Sequence, residues 1–262
     1  VLAGSLVAGY LSWPHYGTID RSGLSGKLGG RFTYPRTSQS ATLVSWRVKN
    51  PGHPFQYPSD RFHQSAMHIA VLKETYPGER RVAIIPGMVP LLLKAGIHVQ
   101  VESGAGDAAG FFDQAYTEKG AEVLSDREAL FQSADAIMQV RSLGANPDAG
   151  REDLHYFREG QVVLGMCDPL GNPQAIGDLA ARGVTLFALE LMPRTTRAQN
   201  MDVLSSMAMI AGYKAVLLAA NHLPRMFPMM ITAAGTLKAV KVFIIGAGVA
   251  GLQAIATAKR LG

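Results

Sequence analysis

From Met67 onwards, short apolar runs alternate with segments of helical spacing, and this alternation constrains the fold more than any other feature of the sequence. The apolar runs are too short for helices and carry many β-branched residues, so each predicts a buried strand. The predicted strands are 68–72, 98–102, 134–140, 161–166 and 184–189, and the predicted helices are 89–96, 113–120, one that closes at 155–160, and 172–183. A β-α alternation at this spacing is typical of a mainly parallel sheet covered by helices. We therefore predict an α/β protein with a Rossmann-like N-terminal domain over 67–202.

The rhythm breaks after the last of these strands. Residues 190–202 are polar and without periodicity, which predicts a loop that leaves the carboxyl end of a strand. The next segment, 203–222, is rich in Ala, Met and Leu on most sides and predicts a helix of about five turns. We predict a linking helix and connector over 203–237, and the truncated start of a second Rossmann domain over 238–262.

Residues 1–66 differ in character from the rest of the chain. They contain both tryptophans and no methionine, and they show neither helical nor alternating periodicity. Three explanations are open: an organellar transit peptide, a disordered extension, or translation upstream of a true start at Met67. We favour the last, because a buried strand begins immediately at Met67. The segment also holds seven of the 25 Lys and Arg residues against two of the 20 acids, so the formal charge of +5 lies there. Nucleic acid is therefore not predicted as a partner.

A glycine-rich fingerprint closes the chain. GAGVAG (246–251) follows the apolar segment VFII (242–245), which predicts a strand, and it opens a helix, the context in which G-x-G-x-x-G is credible. Gly246 permits the tight turn, Gly248 lets the backbone approach a pyrophosphate, and Gly251 lets the helix pack closely on the strand. The helix N-terminus then supplies N–H donors to phosphate oxygens. A glycine turn without nucleotide is the alternative.

A second unusual segment is PRTTRAQNMDVLSS (193–206). It gathers guanidinium, amide and carboxylate groups beside the carboxyl end of a strand, where open α/β sheets bind ligands. Pattern alone leaves a plainer reading open, with Asp202 as the N-cap of the following helix, Ser205 in its first turn and the arginines solvated. The histidines lack metal-ligand spacing, so no metal site is predicted. The single cysteine, Cys167, is predicted to be a buried small residue.

Several segments together resemble the NAD(H)-binding domain of the alpha subunit of proton-translocating NAD(P) transhydrogenases. The segments are MHIAVLKETYPGERRVAIIPGMV, VESGAG, PRTTRAQNMDVLSSMAMIAGYKAV, MITAAGTL and GAGVAGLQAIATAKRLG. The resemblance spans 67–262, and its most specific segment is RAQ followed by D-x-L-S-S-M-A. One departure from the family is TLKAVKV, where a Pro-Pro-Ala linker is usual.

The resemblance implies which residues bind the cofactor. Four side chains of the RAQ loop and its following helix are implied to hold the nicotinamide carboxamide and ribose: Arg194, Gln199, Asp202 and Ser205. Thr195 lies in the same loop and is included with them. The implied pyrophosphate-binding residues are Gly246, Gly248, Val249 and Gly251. Gln199 and Asp202 are the catalytic candidates, with Gln199 also facing NADP(H) on a partner domain. Hydride transfer between two nicotinamide rings needs orientation and closeness, not a nucleophile or a metal.

The resemblance also implies an assembly. NADP(H) is expected on a partner subunit and proton movement in a membrane domain, with this domain dimeric on the cytoplasmic face of the bacterial inner membrane. Two alternatives remain. One is a non-catalytic remnant, because only 16 residues follow Gly246 and the acid that selects NAD comes about 20 residues on. The other is an alanine dehydrogenase, in which Arg81 would match the arginine for the substrate carboxylate. That enzyme's lysine and histidine are replaced here by Arg141 and Asp168, so the transhydrogenase resemblance is preferred.

Overall fold

The computed structural model describes residues 17–18, 30–34, 45–48 and 67–262. The chain forms two compact units, Val1–Met201 and Asp202–Gly262. The predictions for 1–66 fall largely outside the described residues. Three short strands are described within that range, β1 (Gly17–Thr18), β2 (Gly30–Tyr34) and β3 (Ser45–Val48).

One sheet organises the first unit, and its larger portion is parallel as the alternation predicts. Its further strands are β4 (Met67–Val71), β5 (Ile97–Glu102), β6 (Glu122–Leu124), β7 (Ala136–Arg141), β8 (Val162–Met166) and β9 (Thr185–Ala188). The strand order is β1-β2-β3-β9-β8-β7-β4-β5-β6. The six strands from β9 to β6 pair in parallel, whereas β3 joins β9 antiparallel and extends that side of the sheet. The predicted α/β Rossmann-like class is confirmed.

Helices occupy the connections between the parallel strands. They are α1 (Val89–Lys94), α2 (Asp113–Thr117), α3 (Arg127–Ser133) and α4 (Pro173–Ala181). The prediction that a helix closes at 155–160 is wrong, because a 3₁₀ helix ends at His155 and a turn follows. The sequence reasoning also missed β6 and α3. Helix α3 is capped by Asp126, whose carboxylate accepts a hydrogen bond of 3.1 Å from the Ala129 N–H.

The core lies on both faces of the sheet, because successive residues of each strand point to opposite faces. In β4, Ile69 and Val71 belong to one apolar cluster, whereas Ala70 belongs to the other. All three are fully buried. Burial on both faces explains why these strands read as continuous apolar runs rather than as alternating ones. The carboxyl ends of the parallel strands therefore share one edge of the sheet.

The second unit contains the long predicted helix, α5 (Val203–His222), and a shorter one, α6 (Val249–Leu261). They approach closely at Gly212, where an added Cβ would lie 2.1 Å from the carbonyl oxygen of Ala250. The segment predicted as an irregular connector holds a hairpin of β10 (Met230–Thr232) and β11 (Gly235–Leu237). By length and composition α5 could also cross a membrane, although a helix of a soluble protein can pass the same test.

The predicted strand over 242–245 is not formed. Residues 238–247 have no regular secondary structure, and Phe243 and Ile245 are 88% and 90% exposed. No described strand pairs with this segment. A parallel strand depends on neighbours for its hydrogen bonds and for the cover over its side chains, so an apolar run without neighbours stays irregular. The prediction of a complete βα unit at the end of the chain is therefore wrong for its strand and confirmed for its helix.

Candidate functional site

The first group of predicted site residues follows β9, at the carboxyl edge of the parallel sheet. Arg194 and Thr195 lie in an exposed turn, and Gln199 lies exposed in a 3₁₀ helix over Thr196–Met201. The turn is held by hydrogen bonds from the Thr195 N–H to the Pro193 carbonyl (2.9 Å) and from the Ala198 N–H to the Thr195 carbonyl (3.0 Å). Ala198 is fully buried. The loop thus presents three polar side chains from an anchored backbone, at the edge where α/β sheets bind ligands.

The second group caps α5. The Asp202 carboxylate accepts hydrogen bonds from the Ser205 N–H (2.9 Å) and from the Ser205 hydroxyl (2.6 Å). The Ser206 hydroxyl donates to the Asp202 carbonyl at 2.9 Å. The N-cap reading that the sequence left open is therefore what the structure shows. The arrangement fixes the rotamers of both Asp202 and Ser205, which is the condition a side chain must meet to orient a ligand.

The third group is the glycine turn before α6. Gly246 has a φ of +99°, a left-handed conformation that an L-residue adopts only with strain. A Cβ added at Gly251 would lie 2.0 Å from the Gly246 carbonyl oxygen, so helix and turn approach closely there. Both features were assigned to these glycines from the fingerprint. Gly246 and Gly251 are thus brought together within the second unit, as are Asp202 and Ser205, whereas Arg194, Thr195 and Gln199 belong to the first.

The N-terminus of α6 fits an anionic group. Gly248 occupies the N-cap position without a side-chain hydrogen bond, and the first turn of this helix holds no acidic residue. Added Cβ atoms at Gly246 or Gly248 would have nothing within 4 Å, so open space lies beside both. Val249, at the first helical position, is 41% exposed. Unpaired N–H groups, the positive end of the helix dipole and open space are the features that phosphate-binding turns share.

A charged cluster that the sequence reasoning missed lies at the carboxyl edge of β4 and β7. Arg81, expected to be a surface charge, donates two hydrogen bonds to Glu79, from Nε (2.7 Å) and Nη2 (2.6 Å). Arg141 donates to the same carboxylate from Nε at 3.0 Å, and its guanidinium lies 4.2 Å from the centre of the Tyr76 ring. Two arginines on one buried carboxylate leave this region of the edge positively charged.

Two carboxyls in this cluster have shifted pKa values in opposite directions. Burial raises the pKa of Glu74 to about 7, against smaller lowering effects of the Val140 and Arg141 N–H groups that it accepts. Burial also acts to raise the pKa of Glu79, but the hydrogen bonds from Arg81 and Arg141 outweigh it and lower the pKa to about 2. Glu79 is therefore charged at neutral pH, whereas Glu74 titrates there.

Glu190 is a second residue that the sequence reasoning missed. It follows β9 by two residues, and its Oε1 accepts hydrogen bonds from the N–H groups of Cys167 (2.7 Å) and Asp168. Cys167 is fully buried, as predicted, and burial raises the pKa of its thiol well above the usual range. Asp168 has a φ of +44°, unusual for a residue other than glycine. No periodicity or motif marks Glu190, because its role depends on the neighbouring strand.

These features define the class of protein: an α/β chain with a Rossmann-like parallel sheet, a polar loop at its carboxyl edge and a glycine-rich helix start. The model of the alanine dehydrogenase/PNT N-terminal domain matches residues 70–211, and that of the C-terminal domain matches 215–262. The chain therefore belongs to the alanine dehydrogenase/PNT family.

Individual relatives support the resemblance to transhydrogenases. The NAD(P) transhydrogenase subunit alpha of Rickettsia prowazekii, in the first of its separate portions, is 44% identical over 196 residues, covering 75% of this chain and 51% of that protein. A crystal structure of transhydrogenase from Sinorhizobium meliloti matches with a TM-score of 0.70 and 48% identity, covering 74% of this chain and 56% of that one. Alanine dehydrogenase of Bacillus subtilis is 32% identical over 199 residues, covering 75% of this chain and 50% of that protein. The chain thus spans about half the length of these relatives.

Proposed function

We propose that the chain is the NAD(H)-binding component of a proton-translocating transhydrogenase, which transfers hydride from NADH to NADP⁺. The observation that carries this proposal is the start of α6, where the glycine fingerprint adopts an open turn without an acid or a capping side chain. That turn suits a pyrophosphate. The names of the relatives favour a transhydrogenase, since those so named are 41–45% identical and the alanine dehydrogenases 28–32%.

The proposed roles divide between the two groups of residues. The backbone of Gly246, Gly248, Val249 and Gly251 binds the pyrophosphate. Arg194, Thr195, Gln199, Asp202 and Ser205 hold the carboxamide and ribose, and Gln199 and Asp202 are the residues nearest the chemistry. The bound dinucleotide supplies the hydride, so the protein contributes orientation and exclusion of water. The Asp202–Ser205 pair is suited to this role, because each side chain fixes the other at the helix N-terminus.

The proposal includes partners. The relatives are named as portions of a subunit alpha, and this chain covers about half of them. We place NADP(H) on a separate subunit and proton translocation in a membrane domain. The chain itself would then lie at the cytoplasmic face of a bacterial inner membrane, as a dimer of this domain.

An alanine dehydrogenase is the second candidate, favoured by the sequence likeness to enzymes of that name. Two observations weigh against it. Arg81, the residue that would clamp a substrate carboxylate, already donates two hydrogen bonds to Glu79. Asp168 stands where that enzyme carries a histidine, and its carboxylate accepts hydrogen bonds from the Gly171 N–H (3.2 Å) and the Asn172 amide (3.0 Å).

A titration of NADH fluorescence with the full chain tests the proposal. Saturable binding that NAD⁺ competes away is expected. Absence of saturable binding would contradict the proposal for this chain and favour a non-catalytic remnant. Turnover of pyruvate and ammonia with NADH would instead support the amino-acid dehydrogenase.

A further inference from the structure

Glu190 lies at the point where the sheet passes into the loop 194–199. Its Oε1 receives two successive backbone N–H groups from the end of β8, those of Cys167 and Asp168. A charged acceptor for two N–H donors makes a strong, short-range connection. The carboxylate therefore ties the chain that leaves β9 to the neighbouring strand, four residues before Arg194.

Apolar neighbours of Glu190 hold the same segment from both faces of the sheet. Leu189 and Met192 pack against the cluster that contains Ile69, whereas Leu191 packs against the cluster that contains Ala70. These contacts fix the direction of the backbone but leave the end of the sheet open. Glu190 is the polar contact that joins this segment to β8 at the sheet edge.

The connection continues beyond Asp168. The Asn172 amide nitrogen donates to the Asp168 carboxylate at 3.0 Å and to the Gly144 carbonyl at 2.9 Å. Gly144 follows β7, so a line of hydrogen bonds runs across the carboxyl ends of β7, β8 and β9. The left-handed φ of Asp168 is strained, and such strain persists where surrounding contacts determine it. Glu190 is the member of this line closest in sequence to the loop.

The second carboxylate oxygen of Glu190, Oε2, is buried and has no hydrogen-bond donor among the described residues. A buried acceptor without a donor is costly and uncommon in folded proteins. A residue retained only for stability would satisfy both oxygens or be replaced by a shorter or neutral one. Unsatisfied groups concentrate at functional sites, where a local rule is broken for another purpose.

We propose that Glu190 is the positioning residue of the nicotinamide-binding loop, holding the backbone that carries Arg194, Thr195 and Gln199 in its binding conformation. This inference rests on the proposed function for the identity of the ligand. The positioning itself does not depend on it, because it concerns the loop without ligand. The loop offers a direct probe: Arg194 and Arg197 are exposed, so trypsin can cut after each when the backbone opens.

The experiment compares Glu190→Asp and Glu190→Gln in the full chain. The aspartate is one methylene shorter and cannot reach both N–H groups, whereas the glutamine keeps an oxygen at the same distance. Cleavage after Arg194 and Arg197, followed by mass spectrometry, should be about tenfold faster in Glu190→Asp and close to wild type in Glu190→Gln. The exposed Glu152→Asp is the matched control and should be cut at the wild-type rate.

NADH binding supplies a second readout. Glu190→Asp should raise the Kd for NADH about tenfold at an unchanged melting temperature, with rescue by Glu190→Gln. Wild-type cleavage rates at both bonds in Glu190→Asp would overturn the positioning role, as would acceleration spread over bonds throughout the chain. Failure of the wild-type chain to bind NADH would instead overturn the proposed function, and the cleavage rates would still decide whether Glu190 holds the loop.

Discussion

Replacement of Gly248 separates ligand binding from folding at the glycine turn. The residue has φ −77° and ψ −172°, extended backbone open to any residue, and an added Cβ would have nothing within 4 Å. Gly248→Ala should therefore change the free energy of unfolding by less than about 0.5 kcal/mol. The new methyl group would occupy the space through which a pyrophosphate approaches the backbone. We expect the Kd for NADH to rise at least about tenfold, or about 1.4 kcal/mol.

Gly251→Ala should act differently. Its Cβ would lie 2.0 Å from the Gly246 carbonyl oxygen, where a relaxed contact is about 3.5 Å, so helix and turn must separate by more than about 1 Å. We expect a loss of about 1–3 kcal/mol in stability, as in other overpacked sites, together with loss of NADH binding.

Gly177→Ala in α4 is the matched control, because its Cβ has free space and lies remote in sequence from the turn. It should leave the Kd unchanged and stabilise the helix by about 0.5–1 kcal/mol. Calorimetry and fluorescence titration measure both quantities. NADH binding by Gly248→Ala at the wild-type affinity would refute the assignment of the pyrophosphate to this turn.

Three further predictions concern stability. Arg127 lies between Asp153 and Glu102 in a largely buried cluster, so Arg127→Met should cost about 3–5 kcal/mol in thermal or urea unfolding; a loss below about 1 kcal/mol would contradict the cluster's role. Asp202→Ala removes the α5 cap and should cost about 0.5–2 kcal/mol, unlike Asp202→Asn, which keeps an acceptor. Burial raises the pKa of Glu74 from 4.5 to about 7, so the folded state holds a proton that the unfolded state releases. Stability should therefore fall as pH rises from about 5 to 8, and a profile unchanged in Glu74→Gln would show that another group titrates.

The parallel sheet could be predicted because burial on both faces makes each strand a continuous apolar run. The same criterion failed at 242–245, where an apolar run of the right length lacks neighbours and stays exposed. Strand formation there depends on pairing, which the local sequence does not encode. The short strand β6 was missed for the opposite reason, since its three residues are at most half-buried and carry little apolar signal.

The candidate site divides in the same way. Gly246 and Gly251 were assigned from local spacing, since turn conformation and helix packing follow from the fingerprint itself. The Arg81–Glu79–Arg141 cluster and the Glu190 contacts could not be predicted, because they join residues that are 62 and 23 positions apart. Such contacts follow from strand order rather than from any motif. Arg81 shows the consequence: it was expected to be a surface charge, yet it lies half-buried against a buried carboxylate.

Hydrogen–deuterium exchange with and without NADH tests the central claim most directly, because it reports on both proposed binding segments in one measurement. We predict slower exchange on NADH addition in peptides that cover 194–205 and 246–252, and unchanged exchange in α2 and α3. Saturable NADH binding with protection in neither segment would contradict the account.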